Sequence, residues 1–137
     1  MHTIDDMQTI VVSRSVEIDA GKGEVMAVIG DARQLPAWAP GFAREVRQMG
    51  DGWVSAHPSG FDLPFELKVD AECGTADVVV TSSPPRGAYL RALETGTGCH
   101  LTLTIIVPAA DGVDEAGQQE VAQAELRAIG QLVGVRP

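Results

Sequence analysis

The sequence predicts an α+β fold, an antiparallel sheet built from successive hairpins and packed against one long C-terminal helix. Three observations carry this reading. Between about residues 8 and 107 apolar side chains recur with a period of two, in short runs separated by Gly, Pro and Asp clusters. After Pro108 the period becomes helical and stays so to about residue 133. Strands come first and the long helix last, which is the order of an α+β domain rather than of repeated βαβ units.

The elements follow in order. Residues 8–18 place Ile10, Val12, Arg14, Val16 and Ile18 on one side of a β-branched strand. Asp19-Ala20-Gly21-Lys22-Gly23 breaks it. Glu24 to Ile29 is helix-compatible, and Asp31 is placed to cap a second short helix running to about Leu35. Pro36 and Pro40 bracket Ala37-Trp38-Ala39, a stiff turning segment. A mostly polar strand over 43–49 reads as an edge, and Gly50-Asp51-Gly52 as the hairpin turn into a strand carrying Trp53, Ser55 and His57 on one face. Phe65, Leu67, Val69 and Ala71 alternate with Glu66, Lys68, Asp70 and Glu72, apolar inward and charged outward. Strands over 76–82, 88–95 and 99–107 follow, with turns at Pro58-Ser59-Gly60, Pro84-Pro85-Arg86-Gly87 and Gly96-Thr97-Gly98. The stretch Asp111 to Asp114 offers an N-cap and early acids to a helix over 114–133, whose apolar face holds Val121, Ala124, Leu126, Ala128, Ile129, Leu132 and Val133. Gly134 is a C′ residue.

Length and composition bound the function. The 137 residues suit one domain over 8–134, flanked by a flexible 1–7 and a tail at 135–137. Ten basic against 19 acidic residues give a net charge of −9, which disfavours nucleic acid and anionic membranes as partners. No apolar run reaches the ~18 residues of a membrane helix. The opening MHTIDDM lacks the basic and apolar regions of a secretory signal, so a cytoplasmic protein is expected. Cys73 and Cys99 read as two free, buried thiols, a disulfide or shared metal site being the alternative; no CxxC or HExxH is present, and neither metal nor cofactor is expected. Only six residues are aromatic, and five of them (Trp38, Phe42, Trp53, Phe61 and Phe65) lie between positions 38 and 65.

The order of elements resembles the helix-grip fold of the SRPBCC superfamily, which includes START domains and polyketide cyclase-like proteins. Ser13–Ala20 resembles its opening strand, Glu24–Asp31 its first helix, and Leu35-Pro36-Ala37-Trp38-Ala39-Pro40-Gly41-Phe42 its tryptophan-bearing segment. Leu35–Ala39, Gly52-Trp53, Pro58-Ser59-Gly60 and Gly74-Thr75-Ala76-Asp77 are similar to a bacterial polyketide cyclase-like branch, which often carries a His after the strand acid where this chain has Val78. The resemblance implies a curved sheet of six to seven strands wrapped around the C-terminal helix, two short helices after strand one, and a cavity between sheet and helix.

In that cavity Trp38, Phe42, Trp53, Phe65, Leu67, Tyr89, Leu126 and Ile129 are candidates to bind a small apolar or aromatic, lipid- or polyketide-like, molecule. Each has a plainer reading as core packing. His57, Asp77, Tyr89 and Arg91 are candidates for proton transfer and carbonyl binding, each matched by a reading as an outward surface residue. His100 alternates with Leu101, Leu103 and Ile105 and is expected to face outward. Three functions stay open: a ligand-binding or carrier protein, a cyclase or dehydratase-type enzyme, and a ligandless interaction domain. The chain is expected to be a monomer or homodimer, its polar strand near Arg44–Gln48 discouraging edge pairing.

Overall fold

The computed structural model describes residues 9–56, 60–80, 86–110 and 112–134. Ten β-branched or polar residues open the chain as β1 (Thr9–Ile18), followed by α1 (Lys22–Ile29), a 3-10 turn (Ala32–Gln34) and the single-turn α2 (Leu35–Trp38). Among the described residues six strands follow: β2 (Glu45–Met49), β3 (Gly52–Ala56), β4 (Asp62–Asp70), β5 (Thr75–Val80), β6 (Arg86–Glu94) and β7 (Cys99–Pro108). The long helix α3 (Glu115–Gly134) closes the order. All strands join one antiparallel sheet in the order β1-β7-β6-β5-β4-β3-β2. Its curved surface and the helix laid on it form the helix-grip fold.

The local chemistry explains the boundaries. The Glu24 carboxylate accepts from the Gly21 N–H, and Gly30 ends α1. Asp31 Oδ1 accepts from the Arg33 N–H at 3.0 Å and so starts the 3-10 turn. Instead of a merely turning segment, Pro36 sits in the first turn of α2, where its missing N–H costs nothing. Asp114 Oδ1 accepts from the Gly117 N–H at 2.7 Å, capping α3. Strand β4 begins at Asp62, three residues before the expected start, because Leu63 is buried on the same face as Phe65. At its other end the expected inward pattern fails: Val69 is 44% exposed, lying against Gly30 at the end of α1, which has no side chain to cover it, and Ala71, past the end of β4, is exposed.

The core lies between the sheet's inner face and the helices. Alternate residues supply it from the sheet: Ala76, Val78 and Val80; Leu90 and Ala92; Leu101, Leu103 and Ile105. From α3 come Ala122, Leu126, Ile129 and Val133, spaced as one helical stripe. Cys99 is buried, where desolvation pushes its thiol up; Cys73 is exposed, correcting the expectation of two buried thiols, and both are free. Among the described residues no helix is long and apolar enough to cross a membrane. The expected termini 1–7 and 135–137, His57, the Pro58-Ser59 and Pro84-Pro85 turns, and Asp111 lie outside the described residues.

Gly74 marks the tightest turn. It has φ +77°, its carbonyl accepts from the Ala92 N–H at 2.7 Å, and an added Cβ would stand 2.2 Å from the Ala92 oxygen. Gly50, at φ +61°, has open space around it. Gly74→Ala therefore destabilises by more than the roughly 1–2 kcal/mol that left-handed backbone costs an alanine, and Gly50→Ala by about that cost alone. Urea unfolding of both variants checks the difference; equal losses would remove the assigned clash.

Candidate functional site

The sheet and α3 do not meet evenly. Toward the C-terminal end of α3, Leu126, Ile129 and Val133 fill the space against Val12, Leu101 and Leu103, all nearly inaccessible. Toward its N-terminal end the sheet offers smaller groups, Val78, Val80 and Ala88, while the helix presents Gln118, Val121 and Glu125. The result is a cavity of about 220 Å³, open to solvent at one side. Ile105 and Val107 continue its sheet wall, and Leu35, Trp38 and Phe42 close it from the α2 segment.

That segment is held by its own hydrogen bonds. The Phe42 and Ala43 N–H groups both donate to the Ala39 carbonyl at 3.0 Å. The buried Ser55 hydroxyl donates to the Phe42 carbonyl at 2.8 Å. Phe42 meets Phe65 edge to face, ring centres 5.4 Å apart. Trp38 is 1% exposed, and its indole N–H has no partner among the described residues.

Besides the polar Gln118, two ionisable side chains reach this mostly apolar space. Glu125 is 9% exposed, and its carboxyl has no hydrogen-bond or ion-pair partner among the described residues. Removal from water alone raises its pKa to about 8, so at neutral pH it is mostly a protonated acid that can donate a hydrogen bond. Arg86, the first residue of β6, is half-buried at the cavity wall and likewise without a partner among the described residues. Its pairing with Val80 sets it on the inner face.

The structure separates the residues proposed from sequence. Trp38 and Phe42 line the cavity. Phe65 stands behind Phe42, Trp53 packs on the core with the Arg33 guanidinium 5.0 Å above its ring, and Leu67 packs against the core outside the cavity. Leu126 and Ile129 are fully buried in the core and do not line the cavity. Asp77, Tyr89 and Arg91 share the outer face of the sheet, correcting their reading as cavity groups. Arg91 Nη1 donates to Asp77 Oδ1 at 2.6 Å, and Tyr89 faces Asp77 across the β5–β6 register. The cause is parity: Ala76, Val78, Val80, Ala88, Leu90 and Ala92 occupy the inward positions and leave the outward ones to these three. His100 also faces outward and pairs with Glu17. His57 lies outside the described residues. No cluster of His, Cys, Asp or Glu among the described residues is arranged to hold a metal.

Sequence reasoning missed Glu125 and Arg86. Glu125 sits four residues before Ile129 and four after Val121, so helical spacing does put it beside the apolar stripe. Arg86 precedes Ala88, Leu90 and Ala92 at strand spacing, which gives its face once those three are read as inward.

No family model matches the chain, and no curated protein matches it by sequence. Solved structures match across nearly its whole length. XoxI from Bacillus cereus superimposes with a TM-score of 0.67 at 16% identity, covering 90% of this chain and 95% of its own. Norcoclaurine synthase from Thalictrum, solved as a point mutant with a transition-state analogue, gives 0.64 at 17%, covering 92% and 94%. The Zhui aromatase/cyclase from a Streptomyces species gives 0.64 at 14%, with the same coverage of 92% and 94%. These neighbours establish the helix-grip fold, the fold of the SRPBCC superfamily that the sequence resembles.

The raised pKa of Glu125 fixes the sign of a pH effect. Its folded value of about 8 exceeds the ordinary 4.5, so the folded state holds the proton more tightly. The associated destabilisation is absent below about pH 4.5, grows as pH rises toward 8, and is complete above it. Glu125→Gln removes the ionisation, so its stability relative to the parent rises with pH from about 5 to about 8, by on the order of a few kcal/mol, and levels off above. Denaturant unfolding of both proteins across that range measures it; a pH-independent difference would contradict the buried, unpaired carboxyl.

Proposed function

We propose that this chain binds a small, largely apolar molecule in the cavity between the sheet and the first half of α3, with Glu125 meeting an oxygen of that molecule. The observation that carries this is the unpartnered Glu125 carboxyl facing an apolar cavity. Burying such a group without a hydrogen bond costs on the order of 1–3 kcal/mol, a cost that a ligand oxygen would offset. The aromatic walls from Trp38 and Phe42 suit a planar or hydrocarbon body, since rigid rings give contact area at little entropic cost. An open cavity of this kind counts against a ligandless interaction domain. Zhui and norcoclaurine synthase, as an aromatase/cyclase and a synthase on the same fold, are consistent with a small-molecule role without fixing it.

A second reading, an enzyme of the cyclase or dehydratase type, is favoured by the same residue. A carboxyl poised near neutral pH is matched to moving a proton to or from a bound carbonyl compound. In this reading Glu125 carries the proton transfer, in place of the outward-facing Asp77, Tyr89 and Arg91.

Filling the cavity tests the binding reading. Ala88→Leu extends a wall residue into the space, and is expected to lower affinity at least tenfold for any ligand found by native mass spectrometry or a thermal-shift panel of small aromatic and aliphatic oxygen compounds. Undiminished binding by this variant, or no binding across the panel by the parent, would place the ligand elsewhere or nowhere. Glu125→Gln separates the two readings: it keeps binding, and in an enzyme it lowers turnover by roughly 10²–10⁴-fold.

A further inference from the structure

The charges and size of the cavity define its ligand more narrowly. Resting on the binding reading above, we propose that the ligand is a carboxylate with one ring or a short branched chain, its apolar body against Val78, Val80 and Ala88 and its carboxylate held by Arg86.

The first argument is size. A dry cavity of about 150 Å³ accepts a single benzene ring. At about 220 Å³ this cavity has room for one ring and a short substituent, and lies below the roughly 300 Å³ at which drug-sized sites begin. Fused polycyclic molecules and long acyl chains exceed the enclosed volume and would extend through its open side into water. Its walls are held by the core: Leu126, next to Glu125 on α3, is fully buried, and the Ser55 hydroxyl holds the Phe42 carbonyl.

The second argument is charge. The chain carries 19 acidic and 10 basic residues, yet the cation at this cavity has no acidic partner among the described residues. Arg86 and Glu125 line opposite walls, strand and helix, and no ion pair joins them. Arg86 opens β6 where β5 ends at Val80, at the same end of the sheet from which β7 leads into α3. Glu125 lies seven residues beyond Gln118 along α3, about 10 Å further in. A ligand therefore meets a guanidinium at the rim and an acid inside. With that acid protonated, Arg86 is the net charge of the site, and its planar fork matches a carboxylate in two parallel hydrogen bonds. An ammonium group would instead stand against Arg86. Beside the ring, a hydroxyl or carbonyl substituent can take the Glu125 hydrogen bond.

Calorimetric and NMR titrations of the full chain test this with benzoate, phenylacetate and 3-methylbutanoate as probes, against benzamide, benzylamine, toluene and 2-naphthoate. The acids are expected to bind at least tenfold tighter than benzamide or benzylamine, and benzoate at least tenfold tighter than 2-naphthoate. Arg86→Gln, a change at the rim that leaves the core intact, is expected to erase the preference of benzoate over benzamide. Equal affinities for acid and amide in the parent, tighter binding of benzylamine, or an acid preference that survives Arg86→Gln would overturn the carboxylate assignment while leaving the binding reading standing. Equal binding of 2-naphthoate would overturn the size limit. If neither acids, amides nor toluene bind while the wider thermal-shift panel finds another ligand, the carboxylate assignment alone falls; if that panel is empty as well, both proposals fall.

Discussion

A straight helix laid across a curved sheet cannot touch it equally along its length, and this mismatch governs the rest of the molecule. Where contact is close, large side chains from both layers interlock: Leu126, Ile129 and Val133 against Leu101, Leu103 and Val12. Close packing at that end gives the burial that holds helix to sheet. Where the layers diverge, the same strands present Val78, Val80 and Ala88, and the helix presents Val121 and Glu125. Larger residues at those positions would close the gap. Stability and the cavity thus share one helix: Ala122, Leu126, Ile129 and Val133 pack the core, and Gln118, Val121 and Glu125 line the cavity.

This division explains how a carboxyl survives in the interior. An isolated buried charge is expensive, and Glu125 avoids the cost at neutral pH by keeping its proton. The packed face of α3 fixes the helix axis, and the side chain is then carried inward by its position beside Leu126. The stability of the core pins an unfavourable group at the cavity, as expected where function and packing ask for different residues.

The fold was legible because its signals are periodic and long. Alternation over residues 99–107 and helical spacing over 121–133 leave little choice of element, and antiparallel order follows from Gly-rich turns too short for crossovers. The site was less legible for a specific reason. Alternation shows that Asp77, Tyr89 and Arg91 each share a face with their second neighbours, and the face itself follows only from weighing the two sets. Thr75, Asp77 and Val79 against Ala76, Val78 and Val80 is already an answer, as is Tyr89, Arg91 and Leu93 against Ala88, Leu90 and Ala92. That count selects the outward of the two readings open to each of the three. Trp38 and Phe42 were found because prolines and aromatics in one loop mark a closing segment whichever way the strands face.

What sequence could not supply is the depth at which packing stops. Leu126 and Ile129 carry the same apolar signal whether they line a cavity or fill a core, and only the facing residues decide. Those facing residues come from β1 and β7, at the two ends of the chain's strand order, and β1·β7 pairing is a contact across nearly a hundred residues. Glu125 is informative for the same reason in reverse. A carboxyl among apolar neighbours on a helix is either a surface residue at the edge of its stripe or a group turned into a space, and its burial decides for the second. The most useful polar signals in this chain are therefore the ones that break an apolar pattern on the inward face, Arg86 ahead of Ala88 and Glu125 ahead of Leu126, rather than the richer polar set on the outward face.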